Sequence, residues 1–425
     1  MQRTWFAAAA LLAACTIATP PGLELDVGRV CEKIAIEVAD ADVLPGSELH
    51  AAAIPSSGAD AAWYLATDPH GALDLRRVPG DMPAIDLSAL GEPDDFRVQP
   101  GPIEGQVWLA LDRPEGARVW RIDETTEVVR ESAALAFPDA EAGWSRRVVF
   151  LGQTPHLVAV PRASKAGVVP IHLATLTPEL AVGEAWALTA TAKCAPLSEL
   201  ACPLFWDDLR DVAVLDSAEA GSISGAALLL AITTQWDPEP IDPEQAPVFE
   251  TQVISVVLQR DAGAERPVLT RRDHVSWTSD GPVVPFPAQL AADPLGLYVV
   301  AGLIPGPDTS GAAATMSDYL FRADLLGAGT ADAGDVIALL PKLLGSHLLQ
   351  LGGRVALGQL SGRTWNVAPI EGLTINESIV GSLAVDADAT VLRAGRGQFV
   401  VVAEAAPSLR TRIACAAAAA SSSGE

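Results

Sequence analysis

Basic charge is scarce in this chain of 425 residues: 28 Lys+Arg face 53 Asp+Glu, for a formal net charge of −25. So acidic a surface has few cations with which to displace the counterions of a phosphate backbone, which excludes nucleic acid as a partner. Adsorption to an anionic bilayer through basic residues is excluded on the same ground. Only four lysines are present (Lys33, Lys165, Lys193 and Lys342), leaving little material for Schiff-base or phosphate chemistry. Long apolar runs are missing as well. The longest strongly apolar stretch beyond the N-terminus, Ala226–Ile232, has seven residues, where a membrane-spanning helix needs about 20. Apolar residues nevertheless make up 49% of the chain, so wholesale disorder is excluded too.

Catalytic patterns are equally thin. The six histidines (His50, His70, His156, His172, His274 and His347) form no HxH or HExxH pair, so no zinc site is signalled. Gly221-Ser222-Ile223-Ser224-Gly225 fails as a nucleophile elbow because Ile223 occupies the middle position, and it reads as a loop. Carboxylates are plentiful enough to pair by chance. Asp207-Asp208 beside Trp206 has the composition of a glycan site, but reads more simply as a solvated helix face. Asp386-x-Asp388 reads as a turn in preference to a Ca²⁺ site. Asp273-His274 reads as a surface dyad on a strand.

The first fifteen residues carry the clearest signal. Met1-Gln2-Arg3 is a short basic start, and Thr4–Ala14 is an uncharged, mostly apolar run too short to span a bilayer. It ends in Leu12-Ala13-Ala14-Cys15. That tetrad resembles the lipobox of bacterial lipoproteins, with an apolar residue, two small residues and an obligatory cysteine. The resemblance implies cleavage before Cys15 and acylation of its thiol and new amino group. Two or three acyl chains, at about 0.8 kcal/mol per buried CH₂, hold a protein firmly on a bilayer. Thr16 follows the cysteine where an Asp would signal inner-membrane retention, so the resemblance favours the outer membrane of a cell envelope. The rival reading is an ordinary secretory signal in which Cys15 has no role.

Setting Cys15 aside leaves Cys31, Cys194, Cys202 and Cys415. An even number in an exported protein implies two disulfides, with three possible connectivities. Cys194 and Cys202 make the cheapest local bridge, which leaves Cys31 to meet Cys415 and tie the two ends of the folded region together. Close CxxC spacing is absent, so a metal role is not indicated.

Short apolar runs alternating with period two, punctuated by Asp, Gly and Pro, dominate residues 31–415. Trp63–Asp68 with Ala72–Arg76, and Val107–Asp112 with Ala117–Arg121, share one hairpin pattern, with pre-turn aspartates 44 residues apart. A third copy is read at Leu383–Asp386 with Thr390–Arg393, and a looser one at Leu297–Ala301 with Tyr319–Arg322. Each hairpin has an apolar face that it cannot bury alone. Repeats of about 40–50 residues resemble the blades of a β-propeller, and residues 31–415 would hold about six to eight. No WD, kelch or similar signature ties the chain to a named propeller family.

The expected fold is therefore an all-β propeller closed near its termini, with tandem β-sandwiches joined at Asp237–Pro243 as the alternative. Two helical insertions are expected, one from Leu197 to Val212 and one at Asp335–Leu340. Residues 1–14 are read as signal peptide, 15–30 as tether and 416–425 as a disordered Ala/Ser tail. The functional expectation is a membrane-anchored, non-catalytic binding or scaffold platform for a protein, peptide or glycan. It needs no cofactor. The alternative is an exported propeller hydrolase or lactonase using carboxylates, with or without Ca²⁺.

Overall fold

The computed structural model describes residues 31–416 apart from a set of connecting stretches, the longest being 192–204, 217–224, 237–247, 260–267, 306–316 and 324–334. Seven antiparallel sheets follow one another among the described residues. Sheet 1 holds Glu48–Ala53, Ala62–Thr67, Leu73–Val78 and Ile85–Asp86; sheet 2 holds Asp95–Pro100, Gln106–Asp112, Arg118–Asp123 and Val128–Glu131. Sheet 3 holds Trp144–Leu151, Thr154–Pro161, Val168–Leu176 and Val182–Thr191. The long strands Phe205–Asp216, Gly225–Trp236, Val248–Gln259 and Val268–Thr278 make sheet 4, with Ala163–Ser164 on its edge. Sheet 5 comprises Val283–Asp293, Gly296–Pro305, Ser317–Ala323 and Asp335–Leu340. In sheet 6, His347–Leu351, Arg354–Ser361 and Thr364–Glu371 are followed by two short strands, Thr374–Ile375 and Gly381–Ala384.

Sheet 7 is composite. Thr390–Gly395, Gln398–Val402 and Leu409–Ala416 come from the end of the chain, and Lys33–Asp40 from its beginning. All eight residues of Lys33–Asp40 pair with Leu409–Ala416, from Lys33 opposite Ala416 to Asp40 opposite Leu409. Cys31, just before this strand, is disulfide-bonded to Cys415, with their Cα atoms 5.2 Å apart. The first strands of sheets 1 and 7 also touch, and Ile54 N–H donates to Ala394 O at 2.8 Å. The order of sheets thus returns to its start, and the chain folds as a β-propeller.

Period-two alternation places the core between neighbouring sheets and leaves none within a single one. In sheet 2, Val107, Leu109, Trp120 and Ile122 face sheet 1, where they meet Trp63, Leu65 and Leu75. Trp108 and Val119, on the opposite face, meet Val148, Leu157 and Ala159 of sheet 3. A third cluster joins sheets 6 and 7 through Trp365, Val367, Phe399 and Ile413, with Cys31 and Ile34 included. Trp63, Trp108 and Trp120 are at most 3% exposed, so they pack sheets together and do not form open platforms.

Several expectations need correction. Leu197–Val212 is not one helix: Phe205–Asp216 is a strand, and Val212 sits opposite Leu230. Asp335–Leu340 is likewise a strand, paired with Ser317–Ala323. Six residues that include the β-branched Val336 and Ile337 are too few for a stable helix and suit a pleated sheet. The third hairpin copy does not exist as such. Gly381–Ala384 ends sheet 6 and Thr390–Gly395 begins sheet 7, so the turn at Asp386 is a crossing between sheets. Ala416 belongs to the last strand and not to the tail, and Gly225 opens a strand. The stretch 237–243 joins two strands paired from Trp236–Val248 onward, so it is no interdomain linker.

Candidate functional site

Polar side chains on the first strands reach across to the next sheet. Gln99 Nε2 of sheet 2 donates to Val148 O of sheet 3 at 3.0 Å. Gln289 of sheet 5 donates to Ser346 O at 2.7 Å, and its Oε1 accepts Leu348 N–H of sheet 6 at 2.8 Å. His347 Nε2 of sheet 6 lies 2.8 Å from Val391 O of sheet 7. A carbonyl can only accept, so Nε2 carries the proton of the neutral imidazole. Burial pushes His347 down to about 4; the Val391 bond opposes this and the Arg393 charge adds to it. His156, in sheet 3, is lowered by burial as well. Glu124 makes a further link, from the last turn of sheet 2 back to sheet 1. Its Oε1 accepts Trp63 Nε1–H at 2.8 Å and Arg77 Nε–H at 3.0 Å.

The seam between sheets 2 and 3 also holds a cleft lined by charge. Asp95, Arg97, Asp112, Arg146 and Arg147 surround it above Ala110, Val148 and Leu157, and its void of about 10 Å³ has room for one water. Arg146 and Asp112 are buried together, with side chains 1% and 3% exposed. Arg146 Nη1 donates to Asp112 Oδ1 and to Arg113 O, each at 2.9 Å, and Arg146 N–H to Asp112 Oδ2 at 3.0 Å. Arg147 pairs with Asp95 and donates to Arg146 O. The lining includes no histidine, lysine, thiol or hydroxyl, and both its carboxylates are engaged by arginine. The cluster is therefore built to hold charge inside the seam; it offers no nucleophile or acid–base pair.

Asp68 and Asp112, alike in sequence, have separate roles. Asp68 closes its own hairpin, with Oδ1 accepting the N–H groups of His70 and Ala72 at 2.8 Å each. Those bonds, Ala72's foremost, lower its pKa, while Gly71 takes the positive φ of 84° that the turn requires. Asp112 instead leaves its hairpin for Arg146. Sequence reasoning missed this pair, although two consecutive arginines opening the apolar strand Trp144–Leu151 were the available signal.

Of the residues singled out in the sequence, the structure brings Cys31 and Cys415 together as a disulfide. Cys15, Cys194, Cys202 and Asp388 lie outside the described residues. Asp207 and Asp208 are on a strand and not a helix. Asp273 and His274 are on the strand Val268–Thr278, with His274 at a register shift between Asp273 and Val275. Asp386 O accepts Ala389 N–H, which makes the expected turn. Among the described residues no group of three or more His, Cys, Asp or Glu is placed to hold a metal ion, and no helix is long and apolar enough to cross a membrane.

No protein-family model matches the chain, and no curated protein does. Several solved structures resemble it. YCF48 from Cyanidioschyzon merolae has 10% identity over 88% of this chain and 97% of its own, with a TM-score of 0.39. The Dos1 propeller has 11% identity over 86% and 77%, with a TM-score of 0.40. AofleA from Arthrobotrys oligospora has 11% identity over 95% and 99%, with a TM-score of 0.32. Likenesses at this level carry no argument about function, and the assignment as a propeller rests on the strand order and pairing described above.

Proposed function

We propose that this protein is an exported lipoprotein, held at a cell envelope through acylated Cys15, whose propeller is a non-catalytic binding or scaffold platform. The observation that carries the reading is the Cys31–Cys415 bond. Such bonds form and persist in oxidising compartments, and this one lies sixteen residues beyond the lipobox cysteine. Residues 16–30 reach at most about 50 Å, so the platform works close to the bilayer. The outer membrane is favoured by Thr16. The tryptophans of sheets 1 and 2 are spent on packing, so they are not themselves the ligand platform. The test is mass spectrometry of the unreduced membrane fraction. The expected product begins at Cys15 bearing diacylglycerol and an amide-linked acyl chain, and Cys15→Ser leaves the precursor uncleaved. A mature chain without lipid, released to the soluble fraction, would refute the tether.

A further inference from the structure

The side chains Gln99, Trp108, Arg121 and Arg130 stand opposite one another in a single row across the four strands of sheet 2. Cross-strand partners share a face, and for this row it is the face toward sheet 3. Trp108 packs edge-on to Phe150, with ring centroids 5.4 Å apart, and Arg130 Nη1 reaches Pro178 O of sheet 3 at 3.5 Å. The row is rich in donors. Gln99 uses its amide N–H₂ on Val148 O, and the Trp108 indole N–H is buried with no acceptor among the described residues.

The outer two members are the unusual ones. Arg121 and Arg130 are directly opposed like charges, a juxtaposition that destabilises a strand pair. Among the described residues neither makes an ion pair, and Arg121 makes no hydrogen bond through its side chain. Among the described residues no nearby carboxylate pairs with either arginine. Asp123, two residues along the same face, spends Oδ1 on the N–H groups of Thr125 and Thr126. Glu131 is on the opposite face, paired with Arg118 at 3.0 Å. On the sheet 3 side, Glu179 and Glu184 are exposed and pair with neither arginine. Val128, 43% exposed and on the same face as Arg130, gives the patch an apolar border. A chain with 53 carboxylates has left two arginines opposite each other on the outer strands of sheet 2, Arg121 half-buried and Arg130 exposed.

The geometry points to an oxyanion site: Arg121 and Arg130 receive a carboxylate or phosphate group borne by the ligand of this propeller, in the groove between sheets 2 and 3. Guanidinium groups present their donors as planar forks, which match both anions, and a bound oxyanion would remove the repulsion between them. The assignment names a ligand chemistry for the platform but does not depend on lipid attachment, so either can fail alone.

The experiment is thermal unfolding of the purified full-length protein, with inorganic phosphate or acetate titrated against sodium chloride at constant ionic strength. A ligand that binds only the native state raises the midpoint in a saturable way. The expected result is such a rise with at least one anion, weakened about ten- to a hundredfold in apparent affinity by Arg121→Gln or Arg130→Gln. Arg121→Lys, which keeps the charge and loses the fork, should fall between. The preference between phosphate and acetate then names the group. Without added anion, Arg130→Gln on the exposed edge strand should leave the midpoint unchanged or higher, which guards against a folding defect. A flat response of the wild type to both anions would overturn the assignment, as would an equal rise in the glutamine variants.

Discussion

The latch between sheets 6 and 7 makes acid sensitivity a measurable property of one imidazole. His347 is held in its neutral form on both sides. Its Nε2–H donates to Val391 O at 2.8 Å, and its bare Nδ1 faces the Gln289 amide N–H₂ at 3.5 Å. Protonating Nδ1 would set donor against donor. Gln289 cannot turn over to help, because its nitrogen is bonded to Ser346 O and its oxygen to Leu348 N–H. Phe399 closes one flank, at a ring-centroid distance of 5.4 Å, and Arg393 is the charge that acts on the ring. The group therefore titrates near 4 in the folded protein and near 6.5 in the unfolded chain.

The unfolded state thus binds the proton first. His347 costs no stability above about pH 6.5; stability is lost as pH falls through the interval from 6.5 toward 4, and no more is lost below it. Between pH 7.5 and pH 4.5 the two values give a loss of about 2.5 kcal/mol, an upper figure because the residue keeps part of its surface exposed. The assay is urea unfolding of wild type and His347→Gln at both pH values. The glutamine retains a donor for Val391 O and cannot titrate, so it should be somewhat less stable at pH 7.5 through lost contact with Phe399. It should then lose about 2 kcal/mol less than wild type on acidification, with His156 contributing equally to both. Parallel losses in the two proteins would refute the account, as would a native-state titration of His347 near 6.5.

Other seams make comparable predictions. Cys31→Ser or Cys415→Ser opens a loop spanning 384 residues, for which chain entropy gives about 6 kcal/mol; reductant should lower the wild-type unfolding midpoint by more than it lowers that of either variant. Asp112→Asn leaves Arg146 buried against a neutral partner and should cost about 3–5 kcal/mol, whereas Asp112→Leu with Arg146→Met should recover most of it in the same urea assay. A Cβ added at Gly381 would fall 2.5 Å from Ile34 Cγ2, so Gly381→Ala should destabilise by about 1–3 kcal/mol, with partial rescue by Ile34→Ala.

How much of this was readable beforehand depends on the range of each interaction. The hairpins at Trp63–Arg76 and Val107–Arg121 were legible because alternation and turn chemistry act over a few residues, and the pairing of Cys31 with Cys415 because few cysteines compete. Misreadings arose where local pattern was ambiguous. Leu197, Leu200 and Leu204 have helical spacing, yet the residues from Phe205 onward are drawn into a ladder with Gly225–Trp236 that the window does not contain. Leu383–Asp386 and Thr390–Arg393 look like a hairpin, and only sheet membership reveals that they belong to different sheets. Asp112 and Arg146, 34 residues apart, carried no local mark of their partnership.

The absence of a recognisable family signature follows from the same physics. Each latch on the first strands joins a specified side chain to an unspecified one: Gln99 to the carbonyl of Val148, Gln289 to that of Ser346, His347 to that of Val391. Main-chain oxygens are present whatever residue occupies the position, so only one partner of each pair is constrained. Glutamine and histidine serve interchangeably, because each places a donor nitrogen about the same distance from the backbone. A ring assembled in this way holds its geometry without repeating a motif from sheet to sheet. Polar residues that depart from the pattern are then the ones to explain by something other than assembly. Among the described residues of sheet 2, the opposed pair Arg121 and Arg130 departs from it most, because assembly alone would have favoured a neutral or oppositely charged partner at either position.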